Sequence, residues 1–288
     1  GLVGSEMCIR DSDTTARMMS IRTRRTLNTD IQIVGKRGGS GAKAQNYTLT
    51  RPKDGCTIMA LTESHLYTMA RGKSNMKIND LVGVARAMEE PTFVVVNAKN
   101  KELSTVKKMI KRAQKKPISV AIASIGGTEH IGMYSYSKAA NIPFKAVSFG
   151  SGAQSLQALA SGKVEASLLN PSEAAALIAD KKIKAIVLLH DKALADYPKV
   201  KTSYSMGHKV KVVTTRGYAV LKGTPQSVID EISKGMVKAM KHETFGNYLK
   251  GASLDPATSP AGTKVWDKQL KENYKKAAAA LKGLGLTK

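Results

Sequence analysis

The sequence predicts an α/β protein built on largely parallel sheets, and three observations carry that prediction. Short β-branched runs alternate with helical stretches at the spacing of βα units. The turns that lead from a strand into the next helix are rich in glycine. No tandem repeat and no long linker interrupts the 288 residues, so any division into two domains has to use short crossings.

The elements follow in order. "TDIQIV" (29–34) reads as a strand, followed by the turn "GKRGGSG" and the helical "AKAQNYTLTR". "GCTIMAL" (55–61) is a strand entered through the turn "PKDG", and "TFVVVNA" (92–98) is apolar enough to be buried on both faces. "STVKKMIKRAQKK" (104–116) is an amphipathic helix with Ser104 as its N-cap and Val106, Met109, Ile110 and Ala113 on its apolar stripe. The strand "ISVAIA" (118–123), the loop "SIGG" and a helix over 128–140 come next. "FKAVSF" (144–149), the loop "GSGA" and the helix "QSLQALASG" repeat that design. "KVEASLLN" (163–170) and "IKAIVLL" (183–189) are strands with the helix "PSEAAALIAD" between them, and "GYAVLK" (217–222) is a further strand. "TPQSVIDEISKGMVKAMK" (224–241) opens a helix with Thr224 at the cap and Pro225 in the first turn, and a helix over 261–281 closes the chain.

The first twelve residues, "GLVGSEMCIRDS", fit none of this. They show no capping pattern, no periodicity and none of the three regions of a signal peptide. Glu6 to Ser12 back-translate to GAG-ATG-TGT-ATA-AGA-GAC-AG, the transposase end attached to fragments in common sequencing libraries. The expectation is that residues 1–12 are a translated adaptor and that the natural protein is cut open at Asp13.

Bulk properties bound the function. No apolar run approaches the ~20 residues of a membrane span. Setting Cys8 aside leaves Cys56 alone, which excludes a disulfide framework and a thiol metal cluster. The net charge of +24 points toward nucleic acid or an anionic surface, but the basic residues are spread along the chain and are mostly lysine. Aromatic residues make up 5% and do not interleave with the basic ones as a stacking platform requires. A solvated lysine surface, or a diffuse field that draws small anions, fits better. "RGKSN" fails as a phosphate loop because the glycine required five places before Gly72 is Tyr67. The histidines at 65, 130, 190, 208 and 242 share no ligand spacing, and no nucleophile elbow is present, so neither a metal site nor catalysis finds support.

The informative segments are strand-to-helix loops. "AIASIGGTEHI" places Ser124, Ile125, Gly126, Gly127 and Thr128 where glycine lets the backbone approach a ligand and unpaired helix-start N–H groups point outward. For one such loop in isolation an ordinary capped turn, with Thr128 closing its own helix, is the favoured reading. "SFGSGAQSL" repeats the arrangement one unit later, with Phe149 as a wall and Gly150, Ser151, Gly152 and Ala153 as a second donor arc. "TESHL" presents Thr62, Ser64 or His65, and Asn170 in "LLNPS" ends a strand with an amide that both donates and accepts. Strand C-terminal ends are where open α/β sheets bind ligands. Charge-assisted hydrogen bonds are worth roughly 1.5–3 kcal/mol each, so three or four of them reach micromolar affinity after the entropic costs.

In their order these motifs resemble the periplasmic receptors of tripartite tricarboxylate transporters, the Bug family, over 13–288. "DTTAR" is similar to the family's Asp-x-x-Ala-Arg, and "GKRGGSGA" to its Asn-Arg-Pro-Gly-Ala-Gly-Gly turn. "PKDGCTI" is similar to Pro-Asp-Gly-Tyr-Thr-Leu, and "ASIGGTEHI" to Gly-Ser-x-Gly-x-Gly-Ser-x-x-His-Leu. "VSFGSGAQSLQALASGKVEA" and "KGTPQSVIDEI" complete the set. Lys36, Gly38, Cys56, Glu165 and Thr215 depart from the family pattern.

The resemblance implies a two-lobed periplasmic binding fold of type II, with one lobe over 13–96 and 217–288 and the other over 97–216. It implies a non-enzymatic periplasmic receptor, a monomer without cofactor or metal, that binds a small di- or tricarboxylate in the cleft between its lobes. The partners it implies are that ligand and the membrane subunits of the transporter, with no nucleic acid. The second-lobe ligand loop maps onto 124–128 with 149–153 beside it, while the first-lobe loop falls just before Asp13. The sheet is therefore expected to lack its first strand. A basic nucleic-acid- or surface-binding protein and an enzyme on the same fold are the competing classes.

Overall fold

The computed structural model describes residues 2–4, 11–36, 38–149 and 152–287. The chain forms two compact units, the first of Gly1–Glu89 with Thr215–Lys288 and the second of Glu90–Thr214.

In the first unit, β1 (Leu2–Gly4) lies parallel between β2 (Ile33–Gly35) and β3 (Ile58–Thr62). Beyond β3 come β10 (Val213–Leu221), β4 (Leu81–Pro91) and the short β11 (Ala261–Gly262), with β10 antiparallel to β3 and β11 antiparallel to β4. The strand position expected to be vacant is thus filled by Leu2–Gly4. Three residues are enough because strand pairing uses backbone groups that any sequence supplies. Likewise α1 (Asp11–Thr26) begins inside the stretch expected to stand apart.

Helix α1 crosses α8 (Gln226–Met240) at close range, where Thr26 Oγ1 donates to Gly235 O at 2.8 Å. A Cβ on Gly235 would lie 2.2 Å from Leu27 Cδ2, so any larger residue there has to push the half-buried Leu27 side chain aside. From α10 (Thr263–Gly283), the fully buried Trp266 lies over the backbone of Gly217 and donates its indole N–H to Tyr218 O at 3.0 Å. Met19, Ile58, Val84, Met88, Tyr218, Val220, Met236 and Phe245 make up much of the core beneath the helices.

In the second unit the sheet runs β7 (Phe144–Ser148), β6 (Ile118–Ile122), β8 (Ala166–Leu169), β5 (Phe93–Asn97), β9 (Ile183–Leu188). Its β7, β6 and β8 are mutually parallel, and β5 is antiparallel to both β8 and β9. The apolar run of β5 serves two cores. Val94 and Val96 face α4 (Val106–Ala113) and α5 (Thr128–Ala140), whereas Phe93 and Val95 join the cluster of α6 (Gly152–Ala160) and α7 (Pro171–Ala179).

The second sheet is therefore largely parallel, with β5 alone reversed, and in the first sheet β2, β1 and β3 run together while β10 runs against β3. Two caps also differ from expectation. Thr105 caps α4 through an acceptor bond from Lys108 N at 3.3 Å, while Ser104 donates to Lys101 O. At α8 the cap position is Pro225, and Thr224 donates instead to Leu221 O at 2.8 Å. Among the described residues no helix is long and apolar enough to cross a membrane.

Candidate functional site

Strands β7, β6 and β8 run in one direction, so the loops after them open at one edge of the second unit's sheet. That edge gathers Ser124, Phe149 and Asn170. This placement follows from parallel pairing and is where ligands meet α/β sheets.

The loop between β6 and α5 is tightly made. Gly126 adopts φ 71°, which favours glycine, and its N–H donates to His130 Nδ1 at 3.0 Å. Burial holds the His130 ring below its ordinary pKa, and a ring that accepts at Nδ1 carries its proton on Nε2. Gly127 N–H closes onto Ser124 O at 3.0 Å, and a Cβ on Gly127 would lie 2.7 Å from Ser124 Oγ. Gly127 occupies the N-cap of α5 with extended backbone and no side-chain cap, so Thr128 is the first helical residue and does not close its own helix. Ser124 and Ile125 are exposed and Thr128 is half-buried. Sequence motifs gave no role to Glu129, one residue further on. Its carboxyl is pushed above the usual range by burial, an effect opposed by hydrogen bonds from its own N–H and from that of Ala123.

The second arc is only partly described. Phe149 N–H continues the ladder to Ile122 O at 3.0 Å, and its ring packs on the Phe93–Val95 side of the core rather than standing free as a wall. Gly150 and Ser151, and the side chain of Ala153, lie outside the described residues; Gly152 is the exposed first residue of α6.

Asn170 is buried and committed within the unit. Its Nδ2 donates to Pro91 O at 2.9 Å, its Oδ1 accepts from Thr214 Oγ1 at 3.1 Å, and with Glu173 it forms the capping box of α7. Both halves of the amide are spent on the two ends of this unit's chain. The expected ligand contact is replaced by a structural clasp.

In the first unit, "TESHL" is not a loop but the start of α3 (Glu63–Ala70). Thr62, buried at the N-cap, accepts from Ser64 N at 3.3 Å, and its own N–H donates to His65 Nδ1 at 3.0 Å. Burial pushes the His65 imidazole down to about 4. Between them Glu63 is buried and accepts from Thr215 N at 2.7 Å, from the Thr215 hydroxyl and from Asn273 Nδ2 at 3.4 Å. Desolvation pushes its carboxyl up to about 7, against those hydrogen bonds and the nearby Arg216 guanidinium. Neither Glu63 nor its partners carried a sequence signal, because the partners lie 152 and 210 residues away.

A family profile described as "Tripartite tricarboxylate transporter family receptor" matches residues 15–286. Among curated proteins none matches. Solved structures do. A TctC solute-binding protein from Polaromonas without ligand shares 18% identity at a TM-score of 0.85, covering 98% of this chain and 97% of that one. MatC from Rhodopseudomonas palustris with bound malate shares 19% at 0.79, covering 97% and 98%. A further R. palustris protein with adipate shares 17% at 0.81, covering 99% and 96%. At these identities the likeness establishes the α/β fold of periplasmic binding proteins.

Proposed function

Since the chain belongs to the tripartite tricarboxylate transporter receptor family, we propose that it is a periplasmic solute receptor. It captures a small organic carboxylate as a monomer, without cofactor or chemistry, and delivers it to the membrane subunits of a tripartite transporter. The observation that carries this reading is the family match over 15–286. Bound malate and adipate in two proteins of similar fold support the ligand class.

Ser124 and Thr128, exposed or half-exposed at the strand-end edge of the second unit, are the proposed ligand contacts, with Ile125, Gly126 and Gly127 shaping the backbone between them. Gly152 and Ser64 are proposed as secondary contacts. Nucleic acid has no part in this reading, and the lysine surface serves as a diffuse attractive field for anions.

Thermal melts against a panel of malate, adipate, citrate and neutral sugars test it. At a hundredfold excess over Kd a specific ligand adds about 2.7 kcal/mol. Such a gain raises Tm by roughly 5 °C or more for at least one carboxylate and for no sugar. A panel without effect, alongside oligonucleotide binding that weakens steeply with salt, overturns the reading in favour of a polyanion-binding protein.

A further inference from the structure

The two ends of the second unit's sheet differ in charge. The loops that follow β6 and β7, at 123–127 and 149–151, contain no lysine. At the other end Lys115 and Lys116 precede β6, Lys163 precedes β8, Lys181 and Lys182 precede β9, and Lys99 follows β5. All six are exposed. Among the described residues Lys182 alone of the six is ion-paired, with Asp180 at 3.2 Å, while Glu165 is taken by Arg112 at 2.6 Å. Helix C-termini favour a cation, which accounts for one lysine after each of α4, α6 and α7. It accounts neither for the doubled lysines nor for Lys99, which follows a strand.

Lys99, Lys181 and Lys182 line a groove of about 780 Å³. That volume lies within the roughly 300–1,000 Å³ of ligand clefts. The lining adds apolar surface from half-buried Leu156, Ala160 and Leu177, and the exposed Gln157 amide. Two helices end here, and the carbonyls of a last helical turn ordinarily repel an anion. Both ends are closed from within. Asn97 Nδ2 donates to Leu159 O and Ala160 O of α6, at 3.1 and 2.9 Å. The N–H groups of Lys181 and Lys182 donate to Ile178 O and Leu177 O of α7, at 3.0 and 2.9 Å. Lys181 takes left-handed backbone to do so, φ 56°, at a position where glycine or asparagine sits more easily. The chain therefore keeps a lysine at this turn against its backbone preference.

We propose that this groove docks an acidic segment of a partner protein, in which carboxylates flank a large apolar side chain. The carboxylates match the three lysines, and the apolar side chain matches the surface between them. A flat anionic surface would reach the lysines and leave the groove unfilled. The proposal concerns the end of the sheet away from Ser124 and Thr128 and does not rest on the receptor reading.

The test is fluorescence anisotropy at low salt, with the full chain titrated into a labelled peptide of sequence Glu-Glu-Leu-Glu-Phe-Glu-Glu. It is repeated on a groove variant, Lys99→Gln with Lys181→Gln and Lys182→Gln. A control removes the same charge from the exposed lysines of α8 and its end, Lys234→Gln with Lys238→Gln and Lys241→Gln. The expected result is saturable binding that weakens about tenfold in the groove variant, as three screened ion pairs together imply, and less than about twofold in the control. Equal weakening in the two variants overturns the proposal in favour of a diffuse field. Absence of saturable peptide binding also overturns it. Vesicles of phosphatidylglycerol and phosphatidylcholine provide the second arm, and binding to them in preference to the peptide, lost in the groove variant, overturns it in favour of a membrane surface. If the groove variant does not fold, Gln157→Glu decides: weaker peptide binding from a like charge on the groove supports the proposal, and unchanged binding overturns it.

Discussion

Each unit places a glutamate in the first turn of a helix that follows a sheet strand, Glu63 after β3, which is buried, and Glu129 after β6, which is half-buried. Burial raises both carboxyls. Their partners separate them. Glu63 is held by Thr215 from β10 and Asn273 from α10, contacts that join distant stretches of chain. Glu129 instead lies beside its own loop, with Oε2 3.6 Å from where a Cβ on Gly127 would sit. A buried carboxylate with long-range partners acts as a strut of the fold, whereas a half-buried one beside its own loop does not.

The largest effect that sharpens this contrast is on stability. Glu63→Ala leaves the buried N–H and hydroxyl of Thr215 without their acceptor, and the loss of such partners costs about 1–3 kcal/mol per group. Urea unfolding should therefore show a drop of roughly 3 kcal/mol for Glu63→Ala and less than about 1 kcal/mol for Glu129→Ala. Equal losses would erase the distinction.

A pH experiment breaks the comparison differently. Glu63 titrates at about 7 in the folded chain against 4.5 ordinarily, so the folded state holds its proton more tightly. Its contribution is full below 4.5 and is lost as pH rises through 7. His65, on the same helix, is lowered from 6.5 to about 4, so its neutral form is favoured and its contribution is full above 6.5 and lost as pH falls through 4. Each shift corresponds to roughly 3 kcal/mol, and the two slopes oppose each other in the shared window. Their combined contribution is nearly flat between pH 4.5 and 6.5, and Glu63→Gln should leave stability rising with pH there relative to the unaltered chain. Parallel profiles for the two proteins would contradict the strut.

Asn170→Ala comes next. It should lower stability by about 2 kcal/mol through the lost bonds to Pro91 and Thr214. Carboxylate affinity, measured where the variant is fully folded, should change less than threefold. A large affinity loss at unchanged stability would return Asn170 to the role the sequence suggested. A smaller stability effect than that of Asn170→Ala belongs to Gly127→Ala, whose Cβ meets the movable Ser124 hydroxyl at 2.7 Å but also the fixed Ser124 carbonyl at 3.1 Å. About 1 kcal/mol of stability should be lost, with roughly tenfold weaker ligand binding because Ser124 is displaced.

Much of this was legible beforehand because it is local. The helix expected over 128–140 coincides with α5, and the run at 92–98 contains β5. What escaped was either small or distant. β4 reads "LVGVARAMEEP", whose Gly83 and alanines suppress the strand signal; the glycine is there because Trp266 and the α10 backbone lie against it. α3 was hidden because its capping partner at the third helical position is His65 rather than the glutamate or glutamine that marks a capping box. Leu2–Gly4 is too short to show a period. Asn170 was legible as a residue type, but its partners stand 79 and 44 residues away, and spacing along the chain does not reveal that they meet.

The central claim is that the loop after β6 holds the ligand, and a crystal structure of the chain with its tightest-binding carboxylate tests it most directly. The account predicts ligand atoms within hydrogen-bond distance of the Ser124 or Thr128 hydroxyl. A ligand seated away from this loop, touching neither hydroxyl, would contradict it.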